Sequence, residues 1–324
     1  VKLKINKWII GFLLLITIIL IYFQFTELSN FIQLVQRINP FWFILALLFQ
    51  GGTYGALAGV WWIALWRLHQ KISFLNLILL SLSQLFVNQT IPSSGLSGTT
   101  LVTQYLLQHN ISKKSVAFAV TLNVFSRQIA YFLAFILAII ILWLHQSLGK
   151  ALIILTIIFT STMIFIFIAA IYLWTHIRNK ALPGFLEKFE LLKSFVSAIK
   201  KLHPKMLLQP IVSIPAICLQ GAIFLFDALT LWMVLLALNT HLDFVLIFAV
   251  QVIAQAVGSI ALIPGGLGVF EGSMTGMLYA LGLPLESALA ATILFRGLTY
   301  WLPMIPGFMI THKKLKPSQF GKRK

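Results

Sequence analysis

Arg127 and Arg296 lie deep inside long apolar stretches of this 324-residue sequence, as do two carboxylates, Asp227 and Glu271. A guanidinium is a planar fork of N–H donors that matches a phosphate. A carboxylate in the middle of a membrane helix costs about 2.5–3.5 kcal/mol on insertion scales. Such groups are therefore kept for a partner or for a function. Each arginine follows a break rich in Gly and Pro. The stretch Ile263-Pro264-Gly265-Gly266-Leu267-Gly268-Val269-Phe270-Glu271-Gly272 precedes Arg296, and Ile91-Pro92-Ser93-Ser94-Gly95-Leu96-Ser97-Gly98 precedes Arg127. Gly265, Gly266 and Gly268, with Gly95 and Gly98 in the weaker copy, free the backbone to turn and present N–H groups. With a helix starting behind each turn, that is an anion-binding arrangement. Glu271, in the first turn of the following helix, is a candidate for coupling release to protonation. Asp227, in Phe224-Leu225-Phe226-Asp227, is a candidate coupling-ion site.

Each of these residues also has a purely structural reading. Glu271 can cap its helix or pair with Arg296, either arginine can pin a turn through its carbonyls, and Asp227 can meet a partner on another span. The glycines can serve close packing. Gln84 with Asn88, and Gln251 with Gln255, are spaced i,i+4 and suit hydrogen bonds between helices. Gly51, Gly55 and Gly59 form a stripe suited to close helix packing. Tyr131 and Tyr300 each stand four residues after an arginine, and with Gln84, Asn88 and Gln255 they are candidates to line a polar cavity.

These residues must be positioned by a membrane-embedded scaffold. The chain is 60% hydrophobic and 10% charged, against about 25% charged residues in soluble domains. Lys and Arg number 24 against 7 Asp and Glu, a formal net charge of +17. The basic residues fall between apolar runs, which points to membrane orientation and not to nucleic acid. A single cysteine, Cys218, excludes an internal disulfide, and no His/Cys cluster has metal-ligand spacing, so neither metal nor cofactor is expected. No polar stretch is long enough for a soluble catalytic domain.

Apolar runs suited to spans are 8–25, 41–66, 74–91, 116–144, 151–174, 207–238, 244–263, 269–283 and 288–310. The run from Leu96 to Leu107 is too short to cross. It reads as the return arm of a re-entrant hairpin entered by 74–91, and 244–263 with 269–283 form a second. The excess of Lys and Arg then sets one orientation, with both termini cytosolic. Only Arg37 and Lys150 fall outside, and only Arg127 and Arg296 within spans. The loop stretch 183–203 has an amphipathic pattern suited to the anionic leaflet.

The two breaks also echo each other. Each reads Ile-Pro, a turn, then Arg-x-x-x-Tyr-aromatic-Leu, with 35 residues from Pro92 to Arg127 and 32 from Pro264 to Arg296. The expected fold is an all-α polytopic membrane protein of two inverted-topology repeats, each with a re-entrant helical hairpin. Its parts are a first span and external loop (1–40), repeat 1 (41–144), a span plus cytosolic amphipathic loop (145–206), repeat 2 (207–310) and a basic cytosolic tail (311–324).

The motif Ile263–Glu271, followed by Phe295-Arg296 and Tyr300, resembles the transmembrane region of lysylphosphatidylglycerol synthases, the flippase half of multiple peptide resistance factor-like proteins. Asn88, Ile91-Pro92, Gly95, Gly98, Tyr105-Leu106-Leu107 and Arg127 resemble its first motif, with Ser93-Ser94 where glycine is commoner. The resemblance covers nearly the whole chain. It implies a stand-alone, non-enzymatic member in the bacterial inner membrane that flips an anionic or modified phospholipid, or another lipid-linked head group. Full-length members continue into an aminoacyl-transferase domain, for which no matching segment is expected here. The implied partners are membrane lipids, above all anionic phospholipid; a cytosolic enzyme partner and a homo-oligomer stay open. The rival readings are an ion- or small-solute-coupled transporter, a membrane scaffold for a cytosolic lipid-modifying enzyme, and an intramembrane lipid enzyme.

Overall fold

The computed structural model describes residues 38–70, 72–91, 96–145, 209–260 and 264–314. The spans expected at 8–25 and 151–174, the amphipathic stretch 183–203, Gly95 and the basic tail from 315 lie outside the described residues. Those residues form nine α-helices and, among them, no strand: α1 (Pro40–Arg67), α2 (Phe74–Thr90), α3 (Leu96–Gln108), α4 (Lys113–Leu144), α5 (Pro210–Ala237), α6 (Phe244–Ile260), α7 (Val269–Ala280), α8 (Leu285–Arg296) and α9 (Leu302–Lys314). A 3-10 turn, Pro264–Gly266, joins α6 to α7, and a π-helical turn, Gly297–Trp301, joins α8 to α9.

Local sequence sets the helix ends. Asn39 caps α1 by accepting from Phe41 N–H at 3.0 Å, with Pro40 in the first turn, where its missing N–H costs nothing. Ser112 caps α4 through Ser115 N–H at 3.1 Å. Three α-helices, α1, α4 and α5, and the continuous α8–α9 segment Leu285–His312 are long and apolar enough to cross a membrane. The arms of the two hairpins are shorter. With 17 and 13 residues in α2 and α3, and 17 and 12 in α6 and α7, they run about 18–25 Å, less than a hydrocarbon core of about 30 Å. The breaks fall where Pro and Gly placed them.

An antiparallel pair, α1 and α5, runs through the centre. Asn39 N–H donates to Ala237 C=O at 2.9 Å at one end, and Arg67 donates to Gln209 Oε1 at 3.2 and 3.0 Å at the other. Midway, Thr53 Oγ1 donates to Asp227 at 3.0 Å. Of the stripe Gly51, Gly55 and Gly59, only Gly59 meets α5 closely, against Leu219; among the described residues nothing approaches Gly51 or Gly55. Gly52, off the stripe, supplies the second close contact, under the Phe226 ring. The helices cross on the 52/59 face because Phe226 and Leu219 need that room.

Each pair of short helices docks on a longer span through its first arm. The first arm, α2, packs against α9, where a Cβ on Gly307 would stand 2.6 Å from Leu82 O. The second hairpin's first arm, α6, packs against α4. One apolar core joins the end of α1, α2, α3, the start of α4 and the start of α5. A second joins α5, α6, α7 and α8, and a third joins the later half of α4 to Phe224 and α6. The outer faces carry exposed Leu48, Trp143, Ile211 and Phe308, as a lipid-facing bundle requires.

Candidate functional site

The second break folds as a clamp around Arg296. Gly265, Gly266 and Gly268 adopt φ of +62°, +65° and +83°, a region that L side chains avoid. A Cβ on Gly265 would run into the Tyr300 ring, and one on Gly266 would meet Gly258 O at 2.7 Å. The turn therefore lies directly on its neighbours. Arg296, 9% exposed at the end of α8, donates from Nε to Glu271 Oε1 at 2.6 Å and from Nη2 to Gly265 C=O at 2.8 Å. Its guanidinium lies over the rings of Phe270 and Tyr300, 4.6 and 4.4 Å from their centroids. The other Glu271 oxygen accepts from Gly268 N–H at 2.7 Å, closing the cap of α7. Glu271 thus holds the turn and the arginine together.

The π-helical turn supplies the next layer. Its register alters the ordinary i→i−4 ladder, and its carbonyls are bonded from elsewhere. Leu298 C=O accepts from Tyr54 Oη at 3.1 Å, and Thr299 C=O from Gln89 Nε2 at 3.4 Å. Tyr300 Oη in turn donates to Gln89 C=O at 3.2 Å, satisfying one of the last carbonyls of α2. In the other half, the Tyr131 hydroxyl approaches Ser259, near the end of α6, and its ring stacks on Phe224 at 5.3 Å.

Between these layers is a cavity of about 410 Å³. From α1 it is lined by Gln50, Thr53, Tyr54 and Leu57, and from α5 by Gln220, Ile223, Phe224 and Asp227. The hairpins add Gln84, Asn88, Gln89, Gln255, Ser259, Gly265 and Gly266; α4 adds Asn123 and Arg127; α8 and the π-turn add Arg296, Thr299 and Tyr300. Four amide atoms on this lining, Gln50 Oε1, Gln89 Oε1, Asn123 Nδ2 and Gln220 Nε2, have no hydrogen-bond partner among the described residues. A lining of this polarity, in a bundle otherwise apolar, is suited to a polar guest or to water.

The two arginines differ sharply. Arg296 is held in its clamp through Nε and Nη2. Arg127, mid-way along α4, lines the cavity, and among the described residues it has neither a hydrogen-bond acceptor nor a carboxylate. Asp227 is bonded to the Thr53 hydroxyl and is in no ion pair among the described residues.

The model of the lysylphosphatidylglycerol synthase TM region matches residues 8–307. The chain belongs to this family. Among curated proteins it is similar to a UPF0104 membrane protein of Methanocaldococcus jannaschii, 26% identical over 329 residues and 95% of each chain. A UPF0104 membrane protein of Pyrococcus horikoshii is 29% identical over 90 residues, 28% of this chain and 27% of that one. The chain is thus a multi-pass membrane protein of the synthase's transmembrane-region family.

Of the residues singled out by sequence, this family member gathers Arg127, Arg296, Gly265, Gly266, Asp227, Gln84, Asn88, Gln255 and Tyr300 on one cavity. Gln84 accepts from Trp61 Nε1 at 3.1 Å, a bond between helices, whereas Gln251 donates to Gln255 within α6 at 3.0 Å. Asn88 Oδ1 accepts from Gly98 N–H at 2.9 Å, so Gly98 packs the return arm α3 against α2. Gly268 is exposed and its N–H is taken by Glu271. Tyr131 reaches the site through Phe224. Sequence reasoning passed over Gln50, Thr53, Tyr54, Asn123 and Gln220. The signal was present: 50/53/54/57 and 220/223/224/227 each repeat at i, i+3, i+4, i+7, a single helix face with polar members in an apolar span.

Proposed function

We propose that this protein moves a phosphate-bearing lipid head group across the cell membrane. The observation that carries the proposal is Arg127, a mid-span guanidinium facing a polar cavity with no protein partner among the described residues. A lone charge at that depth is costly. An anionic head group offsets the cost by pairing with it, and the unpartnered Asn123 and Gln220 amides add donors beside it. Arg296, with Glu271, serves to fix the second hairpin turn as a wall of the cavity, not to bind the head group directly. Glu271, both of whose oxygens are engaged, acts as part of this lock rather than as the coupling acid.

The proposal includes two inverted repeats with re-entrant hairpins. The matched packing of α2 on α9 and α6 on α4 supports this, as do the short hairpin arms and the two tyrosines directed at the ends of α2 and α6. It also includes both termini on the cytosolic side and no catalytic step in the chain itself. The test is translocation of fluorescent phospholipids in vesicles reconstituted with the purified protein. Faster loss of fluorescence to an external quencher than in protein-free vesicles is expected. Rates no faster than in protein-free vesicles, for every one of several head groups, overturn the reading.

A further inference from the structure

The charges around the cavity do not cancel in place. Arg296 and Glu271 neutralise each other at 2.6 Å. What remains is one cation, Arg127 on α4, and one carboxylate, Asp227 on α5, both lining the same space and in no ion pair among the described residues. Their separation follows from the packing. The starts of α4 and α5 share one core and their later parts share another, so the two helices run the same way. Tyr131 stacked on Phe224 sets their register. Arg127 stands four residues before Tyr131 and Asp227 three after Phe224, so the two charges are about 10 Å apart along the axis. Arg127 opens onto the cavity and Asp227 is 9% exposed, and two opposite charges held apart at membrane depth are each left, among the described residues, without the partner that would offset their cost. A ligand that bridges them relieves it.

The neutral groups are sorted the same way. Asn123 lies one turn before Arg127 on α4, and Gln220 lies seven residues before Asp227, level with Arg127. The unpartnered atoms of both are N–H donors, Nδ2 and Nε2. Gln50 lies one turn from Thr53, which bonds Asp227, and its unpartnered atom is an acceptor, Oε1. These three side chains are 6%, 3% and 2% exposed. Each charge therefore has an unpartnered amide beside it, able to turn its N–H donors toward a phosphate at Arg127 or its oxygen toward an ammonium at Asp227.

Building on the lipid-translocation reading, we propose that the cavity is made for a zwitterionic head group, a phosphate at Arg127, Asn123 and Gln220 and an ammonium at Asp227 and Gln50, joined by a short alkyl spacer as in phosphoethanolamine. A purely anionic head group satisfies one end and leaves Asp227 facing it unpaired.

The test compares three lipids labelled on an acyl chain in vesicles holding the full protein: phosphatidylethanolamine, its N-acetylated form, which keeps the phosphate and loses the ammonium, and phosphatidylglycerol. The expected result is translocation of phosphatidylethanolamine at least about tenfold faster than the other two. Asp227→Asn, which keeps an acceptor for Thr53, should erase that preference. Because the lipid comparison uses the unaltered protein, it stands even where the variant folds poorly. Equal rates for all three lipids, or a preference unchanged in Asp227→Asn, overturn the zwitterion site and leave lipid translocation standing. Free phosphoethanolamine is titrated against the tryptophan fluorescence of the detergent-purified protein in a second arm. Saturable binding abolished by Asp227→Asn, with no lipid moved, keeps the zwitterion site and overturns the lipid reading in favour of a soluble solute. No lipid movement and no binding overturn both.

Discussion

Arg296 Nε lies 2.6 Å from Glu271 Oε1, while Arg127, at the matching place after the first break, has no carboxylate among the described residues. The sequence difference behind this is plain. Glu271 follows the second turn, and the corresponding stretch after the first turn holds Ser, Thr and Leu. The two arginines thereby do different work, one to hold structure and one to face the cavity.

Arg296→Gln should destabilise the protein by about 3 kcal/mol, because it strands Glu271 and frees the Gly265 carbonyl inside the bundle. Glu271→Gln should cost less, about 1–2 kcal/mol, since an amide oxygen still accepts from Gly268 N–H. Scanning fluorimetry of the detergent-purified variants measures the difference. Equal midpoints for wild type and Arg296→Gln would mean that the clamp does not hold the second turn.

Arg127→Gln should behave in the opposite way. With no protein bond to lose among the described residues, its thermal midpoint should stay near wild type, within about 0.5 kcal/mol. Its lipid translocation rate should fall by about tenfold or more. Paired stability and vesicle assays on the same preparation separate the two effects.

The glycines of the second turn should rank by geometry. Gly266→Ala sets a Cβ against the backbone of Gly258 and should be the most damaging. Gly265→Ala meets the Tyr300 ring, which is held by Gln89 and Arg296. Gly268→Ala has open space and incurs only the left-handed backbone cost, about 1–2 kcal/mol. Gly272→Ala, within α7 and in open space, should stabilise by about 0.5–1 kcal/mol. Thermal midpoints out of this order would contradict the turn as described.

Helix packing gives a further contrast. Gly307→Ala places a Cβ 2.6 Å from Leu82 O and from Phe86 Cβ, so α9 must move off α2 and the midpoint should drop clearly. Gly51→Ala and Gly55→Ala, with nothing close by among the described residues, should leave it unchanged or raised. A scanning fluorimetry series on the three variants decides it.

Much of the scaffold was legible in the sequence because membrane helices announce themselves by length and apolarity. Expected runs at 41–66 and 116–144 became Pro40–Arg67 and Lys113–Leu144, and the Pro/Gly breaks fell where they were read. The π-turn at Gly297–Trp301 was not legible, since it depends on Tyr54 and Gln89 arriving from distant helices to bond Leu298 and Thr299. The choice of Gly59 and Gly52 over Gly51 and Gly55 was likewise invisible, because it depends on where Leu219 and Phe226 project. For the site, breaks and charges drew attention, and polar residues on seemingly ordinary spans did not. Gln50, Thr53 and Gln220 sit in α1 and α5 without any local irregularity to mark them.

The central pair has a mechanical meaning. α1 and α5 are tied at both ends, by Asn39 to Ala237 and Arg67 to Gln209, and again in the middle by Thr53 to Asp227. Members laced at three points along their length cannot part like jaws. They form an axle within the bundle, and in the translocation we propose it is the hairpins, as the leaves of a door, that swing about it.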